Sequence, residues 1–295
     1  MGEHTFSIVD VFAERKYAGN QLAVFEDAQD LSDSEMQRFA KEMNYSETTF
    51  ILSGERGDGG YDVRIFTPEE EIPFAGHPTL GTAFVIQHEI MKKPVEQIIL
   101  NLQVGQIPVT FDYRGGEPDM LRMKQKEPVF GEVFDRRDVV DILGLREDDI
   151  DDRFPVQTVS TGLPFMIVPM KNLASVKKSC IVQDKYFELI RDSEAKDILI
   201  FCPETYSRDN DLNVRVFAGY HGVPEDPATG SANGCLAGYL VKHRYLGEDR
   251  IDLRVEQGYE MGRPSLLFLN AEEKKSGIEV FVGGRVFMVA RGKFV

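Results

Sequence analysis

Cysteine is scarce. Cys180, Cys202 and Cys235 are the only three in 295 residues, widely spaced and with no CxxC pair. That pattern argues against a disulfide framework and a zinc site, and for a reducing compartment. Long apolar runs are missing, so no segment approaches the ~20 residues of a membrane span. MGEHTFSIVDVF places no basic segment ahead of a long apolar one. No signal peptide is therefore expected, and the expected location is cytoplasmic. Positive charge is also short: 34 Lys and Arg face 49 Asp and Glu, a net charge of −15. Such a chain repels nucleic acid and anionic membranes, although helix N-termini and a few arginines can still make a local anion site. There is no GxGxxG, P-loop, GxSxG or HExxH. The acidic runs Glu69-Glu70-Glu71 and 147–152 lack the alternating carboxylates and glycine of a calcium loop, so no metal site is expected.

What is present centres on Gly222 to Gly238, GVPEDPATGSANGCLAG. A turn, two acids and a proline precede a run of small residues that continues apolar to Val241. A helix that is small or apolar all round has no solvent face and is buried on every side. Its free N–H groups make an anion site.

An earlier stretch matches it. Val63-Arg64-Ile65-Phe66 leads through an acidic turn to Gly76-His77-Pro78-Thr79-Leu80-Gly81, as Val214-Arg215-Val216-Phe217 leads to Gly230. Arg64 and Phe66 lie 151 residues before Arg215 and Phe217, with Gly76 and Gly230 three residues out of phase. A repeat of about half the chain predicts two like domains. The plainer alternative is coincidence among glycine-rich turns.

The remaining pattern is α/β (α+β) with many short strands. Strands are expected at 4–12, 22–25, 46–52, 61–66, 98–104, 107–113, 157–160, 165–168, 198–202, 213–217, 250–257, 265–269, 278–282 and 285–289. Ser32 and Glu35 form a capping box opening a helix that buries Met36, Phe39, Ala40 and Met43. Further helices are expected at 78–89, 136–143 and 184–191. The glycines and proline of 114–119 suggest a boundary. The expected domains are 1–117 and 118–283, with 284–295 returning to the first.

GNQLAVF (19–25), EMNYSETTF (42–50), FTPEEEIPFAGHPTLGTA (66–83), EDPATGSANG (225–234), QGYEMGRPS (257–265) and VGGRVFMVARG (282–292) occur in order. Together they resemble the PhzF-like phenazine biosynthesis isomerase family. The resemblance implies two similar domains, each a β-barrel-like sheet around a central helix, as in diaminopimelate epimerase and proline racemase, with the site in the cleft between. It implies a homodimer and a small-molecule carboxylate substrate. The phenazine enzyme isomerises trans-2,3-dihydro-3-hydroxyanthranilate by moving a proton, with no cofactor or metal.

By that resemblance Glu47 is the proton-shuttling acid/base. A carboxylate at the start of an apolar strand is partly desolvated, which suits it to donate and accept near neutral pH. From the residues alone an exposed strand-end glutamate is the plainer reading. His77 positions or polarises the substrate, and Asp226 holds its polar groups; each could otherwise be an ordinary helix-start residue. Ser231, with the N–H groups near Gly76 and Gly230, receives the substrate carboxylate. Asn20, in its turn, is a further substrate-binding candidate, although asparagine in turns is commonly structural.

Racemases of this fold carry two facing bases, usually cysteines, just before the helix-opening glycines. Here those places hold Ala75 and Thr229. Alanine moves no proton, and threonine is a poor base unless activated. Cys235 sits inside the buried helix as packing. The expectation is a cofactor-independent isomerase. The alternatives are an amino-acid epimerase or racemase using Glu47 and another base, and a non-catalytic binder of a small anion.

Overall fold

The strand and helix pattern resolves into two units in a computed structural model that describes residues 2–54, 60–221 and 223–295. Gly222, expected to open a turn, lies outside the described residues. One unit holds the chain up to Lys124 together with Gly283–Val295; the other is Gln125–Val282. No helix among the described residues is long and apolar enough to cross a membrane.

The first unit contains β1 (His4–Val11), β2 (Asn20–Phe25), β3 (Glu47–Ile51), β4 (Gly60–Phe66), the short β5 (Glu71–Ile72), β6 (Gln97–Leu102), β7 (Gly105–Arg114) and β8 (Glu117–Lys124). β1 pairs antiparallel with β2 and, on its other edge, with the chain's last strand, Val286–Phe294. β2 and β3 run parallel, joined by α1 (Asp33–Met43). Ser32 and Glu35 close the expected capping box, and Asn44 ends the helix in the left-handed region at φ 53°. α1 lays Met36 and Ala40, with Phe39 and Met43, on a cluster built around Phe25, Phe50 and Phe66.

The first small-residue helix, α2 (Gly76–Val85), is buried at every position. It packs against β1, β2, β3, β6, β7, β8 and the last strand, so the sheet curls around it. Gly81 permits that approach: a Cβ there would lie 2.6 Å from Leu22 Cδ2 and 2.9 Å from Val11 Cγ2. The helix begins at Gly76 and not at 78. Past Val85 its turns widen over Ile86–Met91 and stop at Lys92, φ 54°.

The second unit contains β9 (Val129–Phe134), β10 (Val156–Ser160), β11 (Pro164–Pro169), β12 (Asp197–Cys202), β13 (Leu212–Ala218), β14 (Val223–Asp226), β15 (Arg250–Gln257), β16 (Ser265–Lys274) and β17 (Gly277–Gly284). Three short helices, α3 (Arg136–Leu143), α4 (Leu173–Lys178) and α5 (Gln183–Ile190), pack on a cluster that includes Ile198, Ile200 and Cys202. The central helix α6 (Gly230–Lys242) is buried from Gly230 to Val241 and packs against β10, β11, β15 and β16.

The pairings of the two units repeat. β1–β2, β2–β3, β3–β4, β4–β5, β4–β6 and β6–β7 are antiparallel, parallel, antiparallel, antiparallel, parallel and antiparallel. β10–β11, β11–β12, β12–β13, β13–β14, β13–β15 and β15–β16 follow the same series. The matched arginines do the same work in both. Arg64 forks onto Glu71 (Nε–Oε1 2.8 Å, Nη2–Oε2 2.5 Å) and Arg215 onto Glu225 (both 2.8 Å). Each guanidinium also lies over the phenylalanine two residues on, Phe66 at 5.1 Å and Phe217 at 4.8 Å. These forks tie the acidic turn to the strand before it, which sets where each central helix begins.

Candidate active site

In the first unit Glu47, His77 and Asn20 come together. Glu47 is the first residue of β3 and pairs with Leu22 of β2. Two residues on, Thr49 bonds Thr82 of α2 at 2.8 Å, so alternation turns Glu47 toward the same helix. His77 is the second residue of α2 and 3% exposed. Its Nε2 lies 3.4 Å from Glu47 Oε2, whose side chain is 17% exposed. On the ring's other side Asn20 Nδ2 lies 3.2 Å from Nδ1. With the Asn20 amide as donor, Nδ1 accepts and Nε2 carries the proton; its 3.4 Å approach to Glu47 Oε2 is a contact and not a hydrogen bond.

Burial pushes His77 down to about 3, only partly offset by a hydrogen bond with the backbone of Gln21. The imidazole is therefore neutral at ordinary pH, and its contact with Glu47 is not an ion pair. Ala75 caps α2 without a side-chain bond, so the first N–H groups of the helix, from Gly76 on, receive none from their cap.

In the second unit Asp226, Gly230 and Ser231 sit together at the start of α6. The two acids expected at this helix start part company. Glu225 turns back to Arg215, while Asp226, 8% exposed, accepts a hydrogen bond from Thr229 Oγ1 at 2.5 Å. Both belong to β14, so neither lies in the helix's first turn. Ser231, 6% exposed, is the second residue of α6, as His77 is of α2. Cys235 packs inside, with Sγ 3.6 Å from Thr161 Oγ1, and burial pushes its thiol up to about 12. An open groove of about 460 Å³ lined by Phe134, Arg136, Arg153 and Phe154 contains none of these residues.

Two buried groups here were given no role from the sequence, although one of them, Gln257, opens the QGYEMGRPS motif. Gln257 ends β15 and hydrogen-bonds the Asp226–Thr229 turn. Asp197 opens β12, 8% exposed, and burial together with the negative charge of Asp226 pushes it up to about 7. Phe201, four residues on, stacks edge-on to Tyr239 of α6, so Asp197 shares the sheet face turned to that helix.

Comparison with known proteins places the chain in a lineage. The family model described as phenazine biosynthesis-like protein (PhzC-PhzF) matches residues 9–292. The chain is 34% identical over 295 residues to trans-2,3-dihydro-3-hydroxyanthranilate isomerase of Pseudomonas aeruginosa, covering 98% of this chain and 99% of that protein. A crystal structure of the PhzF-family phenazine biosynthesis protein of Bacillus anthracis superimposes with a TM-score of 0.91 at 26% identity, covering 100% of both chains. A probable proline racemase from Agrobacterium radiobacter K84 shares the fold, with a TM-score of 0.66 at 10% identity over 99% of this chain and 93% of that one.

Proposed function

Since the chain belongs to the phenazine biosynthesis-like family and is an isomerase, we propose that it moves a proton within a small carboxylated metabolite, with Glu47 as the acid/base. The carrying observation is the approach of His77 Nε2 to Glu47 Oε2 at 3.4 Å, both largely buried. The Glu47 carboxylate takes a proton from one carbon and becomes the acid. The carboxyl proton exchanges with solvent, and Glu47 then delivers a proton to another carbon of the same molecule, so substrate and product differ only in where hydrogen and double bonds lie. Neutral His77 donates its hydrogen bond to the substrate and does not compete for the proton. Asp226 holds a hydroxyl or amine of the substrate. Ser231 and the N–H groups at Gly76 and Gly230 hold its carboxylate.

The relative named trans-2,3-dihydro-3-hydroxyanthranilate isomerase makes that compound the first substrate to try. Turnover in heavy water should incorporate deuterium in the product, and Glu47→Gln should abolish both. A well-folded Glu47→Gln variant with undiminished turnover would sink the proposal. Two-base epimerisation is disfavoured, because Ala75 stands at the cap of α2 and Thr229, at the cap of α6, has its hydroxyl engaged with Asp226. Loss of optical rotation from an amino acid with exchange of its α-hydrogen would revive it.

A further inference from the structure

Gln257 is wholly buried at the end of β15. Its Oε1 accepts from Thr229 N (3.2 Å) and Asn233 Nδ2 (2.9 Å). Its Nε2 donates to the Asp226 backbone oxygen (2.8 Å) and to Thr229 Oγ1 (3.1 Å). The amide orientation is thus fixed from both ends, by N–H donors on one side and a carbonyl on the other. A hydroxyl has one proton. Because Thr229 Oγ1 accepts from Gln257, that proton is available to Asp226 Oδ2, where the geometry places it.

The neighbouring residue seals the arrangement. Gly258 has φ +77°, and a Cβ there would stand 2.5 Å from Pro227 O and 2.4 Å from Arg263 O. The end of β15 therefore abuts the chain just after Asp226. The first unit offers a control. Its counterpart of Gln257 is Leu102, the last residue of β6, and its helix cap is Ala75, which has no hydroxyl to orient. The amide stands only where a hydroxyl stands.

We infer that Gln257 is a positioning residue for Asp226: acting through the Thr229 hydroxyl, it commits Asp226 Oδ2 to the protein and holds the carboxylate in one orientation. This rests on reading Asp226 as a substrate-holding residue. The chemistry is a relay of hydrogen-bond direction, with no proton transferred.

The test uses the full-length protein carrying Gln257→Leu, Gln257→Glu, Thr229→Val, Thr229→Ser and the double variant Gln257→Leu/Thr229→Val. Gln257→Glu is nearly isosteric, keeps the acceptor and removes the donors, so it serves if the leucine variant fails to fold. With trans-2,3-dihydro-3-hydroxyanthranilate or another turned-over carboxylate, kcat/KM should fall about 10- to 100-fold in Gln257→Leu and in Thr229→Val. The double variant should fall little further, because both changes act through one hydroxyl. Thr229→Ser should stay near wild type. Multiplicative losses, or full activity in folded Gln257→Leu and Gln257→Glu together with an unmoved Asp226 titration, would overturn the inference.

A second readout needs no turnover. In the unliganded protein the Asp226 carboxyl carbon, followed by 13C NMR, should titrate at higher pH in Gln257→Leu and Thr229→Val than in wild type and Thr229→Ser. A displaced titration with unchanged activity would remove Asp226 from the reaction and leave the positioning intact. An unchanged titration in both variants would overturn the positioning itself.

Discussion

Asp197 stands in the second unit where Glu47 stands in the first. Each is the first residue of the strand after the parallel crossover, each turns toward the central helix, and the next residues pair alike, Thr48 with Phe66 and Ile198 with Phe217. The surroundings have diverged. Glu47 has His77 beside it, whereas the helix position equivalent to His77 holds Ser231. Asp197 instead shares its sheet face with Asp226.

That divergence is readable in stability against pH. Asp197 is raised from 3.8 to about 7. The folded state keeps a proton that the unfolded chain releases, so this contribution is full below about 3.8 and is lost as pH rises through 7. His77 is lowered from 6.5 to about 3. Its contribution is full above about 6.5 and is lost as pH falls toward 3. Each is worth on the order of a few kcal/mol, and in the window from 4 to 6.5 they oppose one another. Urea melts should show Asp197→Asn gaining stability with rising pH relative to wild type, and His77→Gln losing it. Parallel curves for all three proteins would contradict both shifts.

Rates should separate Glu47 from His77. Glu47→Gln should cost about 10²- to 10⁴-fold in kcat, as expected for loss of a general acid/base. His77→Gln keeps a hydrogen-bond donor and should cost only about tenfold. Because His77 does not titrate near neutrality, wild type and His77→Gln should share the same acid limb between pH 5 and 8, measured as log kcat/KM. A limb that vanishes in His77→Gln would mean the imidazole takes part as an ion.

The two matched arginines should differ in cost. Arg215, with its side chain 9% exposed, also donates to the carbonyls of Val176 (3.0 Å) and Ser179 (2.8 Å), linking β13 to the end of α4. Arg64, at 22%, shares itself with Glu71 and the exposed Asp33. Arg215→Met takes the donor from the half-buried Glu225 carboxylate and from the Ser179 carbonyl and should cost about 2–4 kcal/mol. Arg64→Met should cost about 1–2 kcal/mol. Equilibrium denaturation of the two variants checks the order.

Gly238→Ala should lower the melting temperature, although alanine is the better helix former by about 1 kcal/mol. A Cβ at Gly238 would lie 2.7 Å from Pro128 Cβ and 2.8 Å from its Cγ, and a proline ring cannot swing away. Overpacking of this kind costs about 1–3 kcal/mol and should prevail. Pro128→Gly, which removes both clashing atoms, should rescue part of the loss in the double variant.

Much of this was written in the sequence. Small residues over Gly76–Val85 and Gly230–Val241 marked the two enclosed helices, because only a buried helix has no need of a polar face. Arg64–Phe66 and Arg215–Phe217 marked the repeat. The three-residue slip between Gly76 and Gly230 has a local cause. The first unit turns at Thr67–Glu70, while the second inserts a 3-10 turn, Gly219–His221, before β14. β9 escaped because its residues are mostly exposed and show no alternation. Gln257 escaped for a different reason: its partners lie 24 to 31 residues away, and only the parallel pairing of β13 with β15 brings it to the Asp226 turn. Asp197 reads in sequence as an ordinary charged residue ahead of an apolar strand, and its burial depends on the sheet around it.

The pairing of Val286–Phe294 with β1 sets an order on synthesis. Translation proceeds from the N-terminus, so β1 is made well before its partner. The second unit, roughly 160 residues long, lies between them. At ~5–20 residues per second the ribosome takes on the order of 10–30 s to make it. During that interval β1 offers an open edge, while the second unit has all its strands as soon as it emerges. The half of the molecule that carries Glu47 is therefore begun before the second unit and completed after it, and a chain lacking Val286–Phe294 would leave that half, and not the other, with an exposed strand for neighbouring nascent chains to pair with.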